Sequence, residues 1–256
     1  MPMAKTALVT GSSKGIGRGI AVALAQAGYD IAVHYSSTPE GAQQTAAQVR
    51  ALGRRAEIYQ ADIRQVPQIR AMFQAFSQDF DGLDVLVNNA GITRFTPIAD
   101  ATEDLWHTVM DTDLKGAYFC TQSAVEIMRG HGRGGVVVNI SSNHGRGSFP
   151  NAAIYAAAKA AVNKMTENLA LELARDHIRV VCIAPGYTWL EHYGEGARRG
   201  RERNVQRIPA GRYTNPEEVG AAAVFLCSEA AASITGTVLT IDGGALLPVL
   251  TDNEYV

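Results

Sequence analysis

Residues Thr6 to Gly17 read TALVTGSSKGIG, an apolar run followed by a turn with three glycines and the start of a helical pattern. Glycine permits a tight turn and a close approach of the backbone to a ligand, so N–H groups at such a helix start can receive a pyrophosphate. The spacing is GxxxGxG, which differs from the GxGxxG fingerprint because residue 20 is isoleucine. Taken alone, the stretch fits a plain strand-to-helix connection as well as a nucleotide-binding turn.

Short β-branched runs alternate with longer alanine-rich stretches of helical period along the rest of the chain. The predicted strands are Thr6–Thr10, Asp30–Tyr35, Ala56–Gln60, Val85–Asn88, Val136–Ile140, Val180–Ala184 and Val238–Ile241. The predicted helices are Ile16–Ala27, Glu40–Leu52, Gln65–Phe80, Thr102–Met128, Ala152–Ala174 and Glu217–Ser228. This alternation implies right-handed βαβ units and a parallel sheet covered by helices on both faces. We predict an α/β, doubly wound (Rossmann-type), mostly parallel seven-stranded sheet.

No Pro/Ser-rich linker and no internal repeat divides the sequence, so we predict that residues 1–256 form a single domain. The regular pattern is interrupted at residues 187–209, an irregular stretch rich in Arg, Glu and Gly. Long irregular segments in compact domains are usually lids or binding loops. We therefore predict a substrate lid at about residues 187–209.

The composition argues against several classes of protein. With 23 Lys and Arg against 25 Asp and Glu, the formal net charge of −2 gives little electrostatic attraction to nucleic acid or anionic membrane. No apolar run approaches the roughly 18 residues of a membrane span, and the N-terminus does not resemble a secretory signal. The widely spaced Cys120, Cys182 and Cys227 fit buried thiols, and the histidines lack metal-ligand spacing. We expect a cytoplasmic protein without a metal site.

Four further motifs follow the predicted strands, at the sheet edge where open α/β proteins bind ligands. They are Asn88-Asn89-Ala90-Gly91, Ser142, the pair Tyr155 and Lys159 one helical turn apart, and Pro185-Gly186. Together with the glycine loop and Asp62, they make the chain resemble the short-chain dehydrogenase/reductase family from Thr6 to Gly244. The segments NNAGITR, YAAAKA and IPAGR most resemble the 3-oxoacyl-[acyl-carrier-protein] reductases of that family.

The resemblance implies hydride transfer between a nicotinamide and a ketone or secondary alcohol. Such a transfer needs a proton donor to the oxygen, and a free phenol, whose pKa is about 10, is a poor one unless a nearby cation lowers that pKa. The implied roles are acid/base for Tyr155, electrostatic partner and ribose ligand for Lys159, and hydrogen-bond donor for Ser142. Asp113 lies where the family commonly has a catalytic asparagine, and an aspartate keeps the acceptor but loses the amide donor.

The residues that end the second predicted strand favour NADP(H) over NAD(H). A carboxylate there usually accepts the ribose 2′-hydroxyl of NAD, whereas this chain has Ser36 and Ser37 and carries Lys14 in the glycine loop. The alternative is that Lys14 faces solvent and the serines cap the next helix. The resemblance implies cofactor contacts from Gly11, Ser13, Lys14, Gly15, Ile16, Gly17, Ser36, Ser37, Asp62, Ile63, Asn89, Ala90, Gly91, Tyr155, Lys159, Pro185, Gly186 and Thr188. Thr188 is included because the family often has a threonine where this chain has Leu190.

The substrate is less constrained than the cofactor. We favour a 3-oxoacyl thioester-type ketone, which could be bound to an acyl carrier protein near Arg129, Arg133 and Arg175, although arginines at helix ends are also favoured by the helix dipole. An aldose or polyol is the alternative, because Ser142-Asn143-His144 resembles sugar dehydrogenases; a non-catalytic NADP-binding scaffold or sensor is the alternative from another class. The candidate cleft residues are Asn143, His144, Phe149, Asn151, Tyr187, Trp189 and Tyr193.

The resemblance also implies a homotetramer in which two long helices pair across an interface. These are the segments near Leu114 to Met128 and Ala152 to Ala174. The second contains the small residues Ala156, Ala157, Ala158, Ala160 and Ala161, which let helices approach closely. Packing of that helix on its own sheet would need the same small residues.

Overall fold

The computed structural model describes residues 4–190, 200–201 and 204–247. Seven parallel strands form one sheet in the order β3-β2-β1-β4-β5-β6-β7. They are β1 (Thr6–Val9), β2 (Asp30–Tyr35), β3 (Ala56–Gln60), β4 (Val85–Asn88), β5 (Gly135–Ile140), β6 (Ile178–Pro185) and β7 (Val238–Ile241). The predicted doubly wound architecture is confirmed. The strand order reverses between β1 and β4, which places a crevice at their carboxyl ends.

Seven α-helices, numbered along the described residues, cover the sheet. They are α1 (Gly15–Gln26), α2 (Pro39–Ala51), α3 (Val66–Asp79), α4 (Glu103–Met110), α5 (Ala117–His131), α6 (Ala153–Leu173) and α7 (Pro216–Cys227). Short 3₁₀ turns occupy Ile98–Asp100, Asn143–Gly145, Ala174–Asp176 and Glu229–Ala231. One apolar core joins α1, α2 and α7 to the sheet, and a second core joins α3, α5 and α6 to the opposite face. Among these described helices, none has both the length and the apolar character to cross a membrane.

The central strands are apolar on both faces because helices cover both. In β1, Ala7 and Val9 belong to one core and Leu8 to the other, and all three side chains are fully buried. This explains why the strands read as continuous apolar runs without alternation. The three cysteines are free and buried, as predicted.

The prediction of one α-helix from Thr102 to Met128 is wrong. The α-helix α4 ends at Met110, a π-helical turn spans Asp111–Gly116, and α5 begins at Ala117. A π-turn carries an extra residue without breaking the helical pattern of the sequence, so its presence is hidden from periodicity. Gly116 permits the turn to approach β3's carboxyl end, because a Cβ there would lie 2.8 Å from the side chain of Ile63. The turn buries Asp113.

Part of the sequence-based prediction falls outside the described residues. The predicted lid, residues 187–209, is described only at 187–190, 200–201 and 204–209. Tyr193 and the arginines at 198, 199 and 203 lie outside these ranges.

Candidate active site

The glycine loop between β1 and α1 has the geometry of a dinucleotide cradle. Gly11 adopts a left-handed φ of 64°, and a Cβ on it would lie 2.9 Å from the backbone of Ala90. A Cβ on Gly17 would lie 2.5 Å from the carbonyl oxygen of Gly11, so only glycine fits at either position. No side chain caps α1, which leaves the first-turn N–H groups available to an anion. The loop therefore fits the pyrophosphate of a dinucleotide.

Two residues that the sequence analysis missed hold this loop in place. Arg18 donates to the carbonyl oxygen of Ser13 at 2.6 Å and to the Thr45 hydroxyl at 3.1 Å. The Thr10 hydroxyl oxygen accepts the N–H groups of Asn89 at 2.9 Å and Ala90 at 3.0 Å, which joins the loop to the end of β4. Arg18 lies one helical turn after Lys14, and that i, i+4 spacing of two cations was the signal available in the sequence.

The candidate adenosine end lies where β2 and β3 finish. Ser36 and Ser37 are exposed there, and Lys14 is exposed at the start of α1. The carboxylate of Asp62 is held by Arg64, with 2.6 Å between Oδ2 and a guanidinium nitrogen, and this hydrogen bond lowers the pKa of Asp62. Asp62 is therefore a charged acceptor with a fixed orientation. Ile63 is buried beside the π-turn.

The candidate catalytic pair lies on the first turns of α6. Tyr155 and Lys159 are both buried, and the Lys159 Nζ lies 5.7 Å from the centroid of the Tyr155 ring. Lys159 donates to the carbonyl oxygen of Ile140 at 3.1 Å. Its i, i+4 spacing from Tyr155 places both side chains on the face of α6 that meets the ends of β4 and β5.

Asp113 is the counter-ion of Lys159. Its Oδ2 lies 3.1 Å from Lys159 Nζ, and its Oδ1 accepts the backbone N–H of Ile92 at 2.7 Å. The side chain of Asp113 has no solvent exposure and that of Lys159 has 5%. Burial alone would lower the pKa of Lys159, but the attraction of Asp113, followed by that of Tyr155, raises it overall. The ammonium therefore stays charged in a buried position.

Ser142 begins the 3₁₀ turn after β5 and faces the same space. Its Oγ accepts the backbone N–H of His144 at 3.2 Å and lies 3.2 Å from Nδ1 of that histidine. The imidazole stacks on Phe149 with 3.7 Å between ring centroids and meets Tyr155 edge-on at 5.4 Å. Burial lowers the pKa of His144, so a neutral imidazole lies beside Ser142.

Ser142, His144 and Tyr155 line a cavity of about 330 Å³. Its described lining is mostly aromatic and small polar, with no charged side chain: Thr93, Phe95, Ser142, Asn143, His144, Tyr155, Gly186, Tyr187, Thr188, Gly200, Asn204 and Tyr213. Of the predicted cleft residues, Phe149 stacks behind His144, while Asn151 and Trp189 do not line this cavity. Thr188 faces the cavity, whereas Leu190 lies over Gly15 of the glycine loop. Of these two residues, Thr188 is therefore the one that lines the candidate active site.

Comparison with known proteins assigns this arrangement. The sequence model of a family described as enoyl-(acyl carrier protein) reductase matches residues 11–245. The 3-oxoacyl-[acyl-carrier-protein] reductase FabG of Staphylococcus aureus is 37% identical over 244 residues, which cover 95% of this chain and 99% of that protein. The chain belongs to the short-chain dehydrogenase/reductase family.

Solved structures of the family agree with the fold. The acetoin dehydrogenase YohF of Salmonella typhimurium is 35% identical and superposes with a TM-score of 0.90. The match covers 98% of this chain and 99% of that protein's chain. A short-chain type dehydrogenase/reductase of Mycobacterium marinum is 32% identical with a TM-score of 0.87, covering 95% and 96% of the two chains. The chain is therefore an NAD(P)-dependent enzyme of the short-chain dehydrogenase/reductase type. The relatives carry different substrate names, so membership alone leaves the substrate open.

Within this family assignment, the structure brings the sequence-predicted site residues to one edge of the sheet. The glycine loop follows β1, Asn89-Ala90-Gly91 follows β4, Ser142 follows β5, and Pro185-Gly186 ends β6. Gly91 lies against the ion pair, because a Cβ there would be 3.1 Å from Asp113 Oδ2 and 3.3 Å from Lys159 Nζ. The individual roles of these residues remain predictions.

Proposed function

We propose that residues 1–256 act as a single dinucleotide-binding and catalytic domain that performs NADP(H)-dependent reduction of a ketone of the 3-oxoacyl thioester type. The observation that carries this proposal is that Ser142 and Tyr155 line one cavity at the carboxyl ends of the strands, with the buried ammonium of Lys159 5.7 Å from the Tyr155 ring centroid. The glycine loop, Asp62, the segment Asn89 to Gly91, Lys159 and Thr188 would hold the cofactor. When bound, the nicotinamide supplies the hydride.

The chain's own residues handle the proton and the developing charge. The Ser142 Oγ accepts the His144 N–H at 3.2 Å and donates to Asn143 Oδ1 over a long 3.4 Å, so the hydroxyl can turn its proton to the substrate oxygen instead. Tyr155 donates its phenolic proton to the same oxygen as negative charge develops there. Lys159, held charged by Asp113, stabilises the phenolate that remains. In this assignment Asp113 is a positioning residue that acts through Lys159.

NADP(H) is the proposed cofactor. A 2′-phosphate carries negative charge; the exposed Ser36 and Ser37 offer two hydroxyl groups at the end of β2, and the exposed Lys14 offers a cation in the glycine loop. Asp62, which follows the neighbouring strand β3, is already paired with Arg64. These features support a phosphorylated ribose over a free 2′-hydroxyl.

The walls of the cavity favour a ketone over an aldose. A polyhydroxylated substrate needs many polar partners, and a buried hydroxyl without one costs free energy. Here Phe95, Tyr187 and Tyr213 supply large apolar surfaces around the Ser142 hydroxyl. A short acyl chain suits these walls better than a sugar.

The surface arginines argue for a free thioester over one delivered by a carrier protein. Arg129 is bonded to Asp176 at 2.6 Å, and Arg133 lies 3.7 Å from Asp84. Their charges are therefore largely compensated within the chain. An acidic carrier would have to displace these intramolecular partners to gain the same contacts.

A second candidate substrate is a small diketone or hydroxyketone. The cavity of about 330 Å³ is compact, and two similar solved structures are acetoin dehydrogenases, from Salmonella typhimurium and Enterobacter cloacae. The aromatic walls leave room for small substituents on either side of a carbonyl. This candidate shares the proposed roles of Ser142, Tyr155 and Lys159.

A homotetramer is part of the proposal. An apolar surface formed by Met110, Leu114, Tyr118, Phe119 and Met165 lies between α4, α5 and α6, and Tyr118 remains 45% exposed. Such a patch is typical of an interface. Light scattering at micromolar concentration should give a mass near four chains, and a monomeric mass would reject the assembly.

The deciding experiment is a substrate panel with purified protein. NADPH oxidation is followed with acetoacetyl thioesters and with diacetyl, and NADP⁺ reduction is followed with aldoses. The expected order is thioester first, diketone second and aldose last, with Tyr155→Phe as the control for background turnover. Robust aldose oxidation with inactive thioesters would overturn the substrate assignment. NADPH binding without turnover of any substrate would favour the scaffold alternative.

A further inference from the structure

His34 is a buried histidine outside the catalytic group that contacts the glycine loop. It lies on β2 with 1% exposure. Its Nδ1 is 2.9 Å from the backbone nitrogen of Gly11, and its Nε2 is 3.0 Å from the carbonyl oxygen of Ala61. Its backbone N–H donates to the Ser12 hydroxyl at 3.0 Å, and its carbonyl accepts the Ser12 N–H at 3.0 Å. The residue therefore joins the glycine loop to the end of β3.

The partners of the His34 ring fix its tautomer. A carbonyl oxygen can only accept, so Nε2 must carry a hydrogen and donate it to Ala61. A backbone N–H can only donate, so Nδ1 must present its lone pair to Gly11. Burial, partly offset by the Ala61 hydrogen bond, lowers the pKa of His34 to about 4. The neutral Nε2–H form satisfies both bonds, and a second proton would oppose the Gly11 N–H.

We propose that His34 is a positioning residue for cofactor binding, whose imidazole sets the place of the Gly11 turn relative to the end of β3. Gly11 is the residue whose carbonyl meets Gly17, and its left-handed turn lies against Ala90. Ala61 immediately precedes Asp62 and Ile63, the candidate adenosine contacts. The His34 side chain thus fixes the distance between the glycine loop and the candidate adenosine contacts after β3.

The consequence of losing the Gly11 bond follows from the cost of an unpaired N–H group. A buried donor without an acceptor is strongly disfavoured, so the turn would rearrange to find a partner. Cofactor binding would then have to restore the original turn, and affinity would fall. Losing the Ala61 bond frees a carbonyl at the strand end and leaves the Gly11 turn in place. The two hydrogen bonds of one ring therefore have different consequences for the cofactor.

Two substitutions separate these bonds. His34→Asn places an amide oxygen near the position of Nδ1, so it keeps an acceptor for Gly11 and loses the donor to Ala61. His34→Gln reaches the position of Nε2, so it keeps the donor to Ala61 and loses the acceptor for Gly11. Each variant removes one hydrogen bond, so the two should lose similar thermal stability. If His34 had only a structural role, the two variants would also have equal cofactor affinities.

His131 provides a matched control. Its Nε2 lies 3.0 Å from the carbonyl oxygen of Leu83, and its Nδ1 accepts the N–H of Arg133 at 3.1 Å. This is the same bonding pattern at the amino end of the sheet, away from the glycine loop. His131→Gln should lower stability without changing cofactor affinity.

The experiment measures NADPH and NADH dissociation constants by nucleotide fluorescence, with melting temperatures for every variant. This inference rests on the proposed function, so the wild type is measured first. Absence of binding to either nucleotide would overturn both proposals. With a binding wild type, we expect His34→Gln to weaken NADPH binding about tenfold or more, and His34→Asn about threefold or less. Equal affinities in the two variants, or a greater loss in His34→Asn, would overturn the role of His34 alone.

A measurement on the wild type keeps the inference testable if a variant does not fold. Nitrogen-15 shifts of the His34 ring at neutral pH distinguish the two neutral tautomers. We expect the Nε2–H form, together with slow hydrogen exchange of the Gly11 amide. A Nδ1–H form, or rapid exchange at Gly11 in folded protein, would overturn the inference.

Discussion

Replacing Asp113 with asparagine removes one buried negative charge and keeps an oxygen that can accept the Ile92 N–H. The removed carboxylate lies 3.1 Å from Lys159 Nζ, which is itself 5.7 Å from the Tyr155 ring centroid. The carboxylate is therefore within about 9 Å of the ring. At an effective dielectric constant of about 20, a unit charge at about 9 Å contributes about 1.8 kcal/mol, or about 1.3 pH units, and one at about 3 Å contributes about 5 kcal/mol.

The sign of the change is the same for both groups. A negative charge favours the protonated form of a neighbour, so its removal favours loss of a proton from the phenol and from the ammonium. For alcohol oxidation with NADP⁺, the acid limb of the kcat/KM profile should move down by about one pH unit. The alkaline limb, where Lys159 loses its charge, should move down further, because Asp113 raises the pKa of Lys159 and burial opposes it. The active pH range should become narrower.

The assay is kcat/KM against pH for the wild type, Asp113→Asn and the control Asp111→Asn. Asp111 lies on the same π-turn but pairs with Lys115 at a partly exposed position, so its removal should leave both limbs unchanged. Superimposable profiles for the wild type and Asp113→Asn would refute the electrostatic role of Asp113. A shift of either limb to higher pH would refute the reasoning on sign.

Three further changes test the cofactor site, the acid/base group and the fold. Tyr155→Phe should retain NADPH binding by fluorescence titration and reduce turnover at least a thousandfold, because it keeps the ring and loses the proton; turnover within tenfold of the wild type would contradict the assignment. Ser37→Asp should shift the ratio of kcat/KM toward NADH by placing a carboxylate where the 2′-phosphate is expected, and a wild type that already prefers NADH would overturn this interpretation. His34 takes up a proton near pH 6.5 in the unfolded state, whereas burial lowers its pKa to about 4 in the folded state. Stability is therefore lost as the pH falls from about 6.5 to about 4. Between pH 7 and pH 4, the free energy of unfolding measured with urea should therefore fall by about 3 kcal/mol more in the wild type than in His34→Asn. Parallel plots of this free energy against pH would contradict a buried neutral His34.

The strands and most helices could be predicted because their signals are local. For example, β2 and β3 have the bounds that the sequence predicts, since each contains β-branched and aromatic residues in a short segment between two helical patterns. The start of α7 has a local signal of the same kind, because Asn215 and Pro216 are typical of a helix start and Glu218 accepts the Asn215 N–H at 2.8 Å. Patterns of this kind depend only on neighbours along the chain. The π-turn lacked such a signal, because an extra residue in one helical turn leaves the surrounding apolar pattern readable as a single helix.

The candidate site was predictable as a set of residues but not as a set of contacts. Family resemblance identifies Asp113, Tyr155 and Lys159. The sequence does not predict that Asp113 forms an ion pair with Lys159. The ion pair depends on the π-turn, which brings Asp113 next to a side chain from a different helix. Arg18 and His34 were missed for a related reason, since their hydrogen bonds join segments that are distant in sequence.

The ion pair gives a physical reason for the departure at Asp113. A lysine that is almost completely buried loses much of its hydration, and without compensation it would tend to become neutral. A neutral Lys159 could no longer stabilise a phenolate at Tyr155. Asp113 keeps the lysine charged because its carboxylate contacts Lys159 Nζ directly, at 3.1 Å. A carboxylate in direct contact with the ammonium favours the protonated lysine, and the charged lysine in turn favours the phenolate, so an aspartate is compatible with the proposed chemistry.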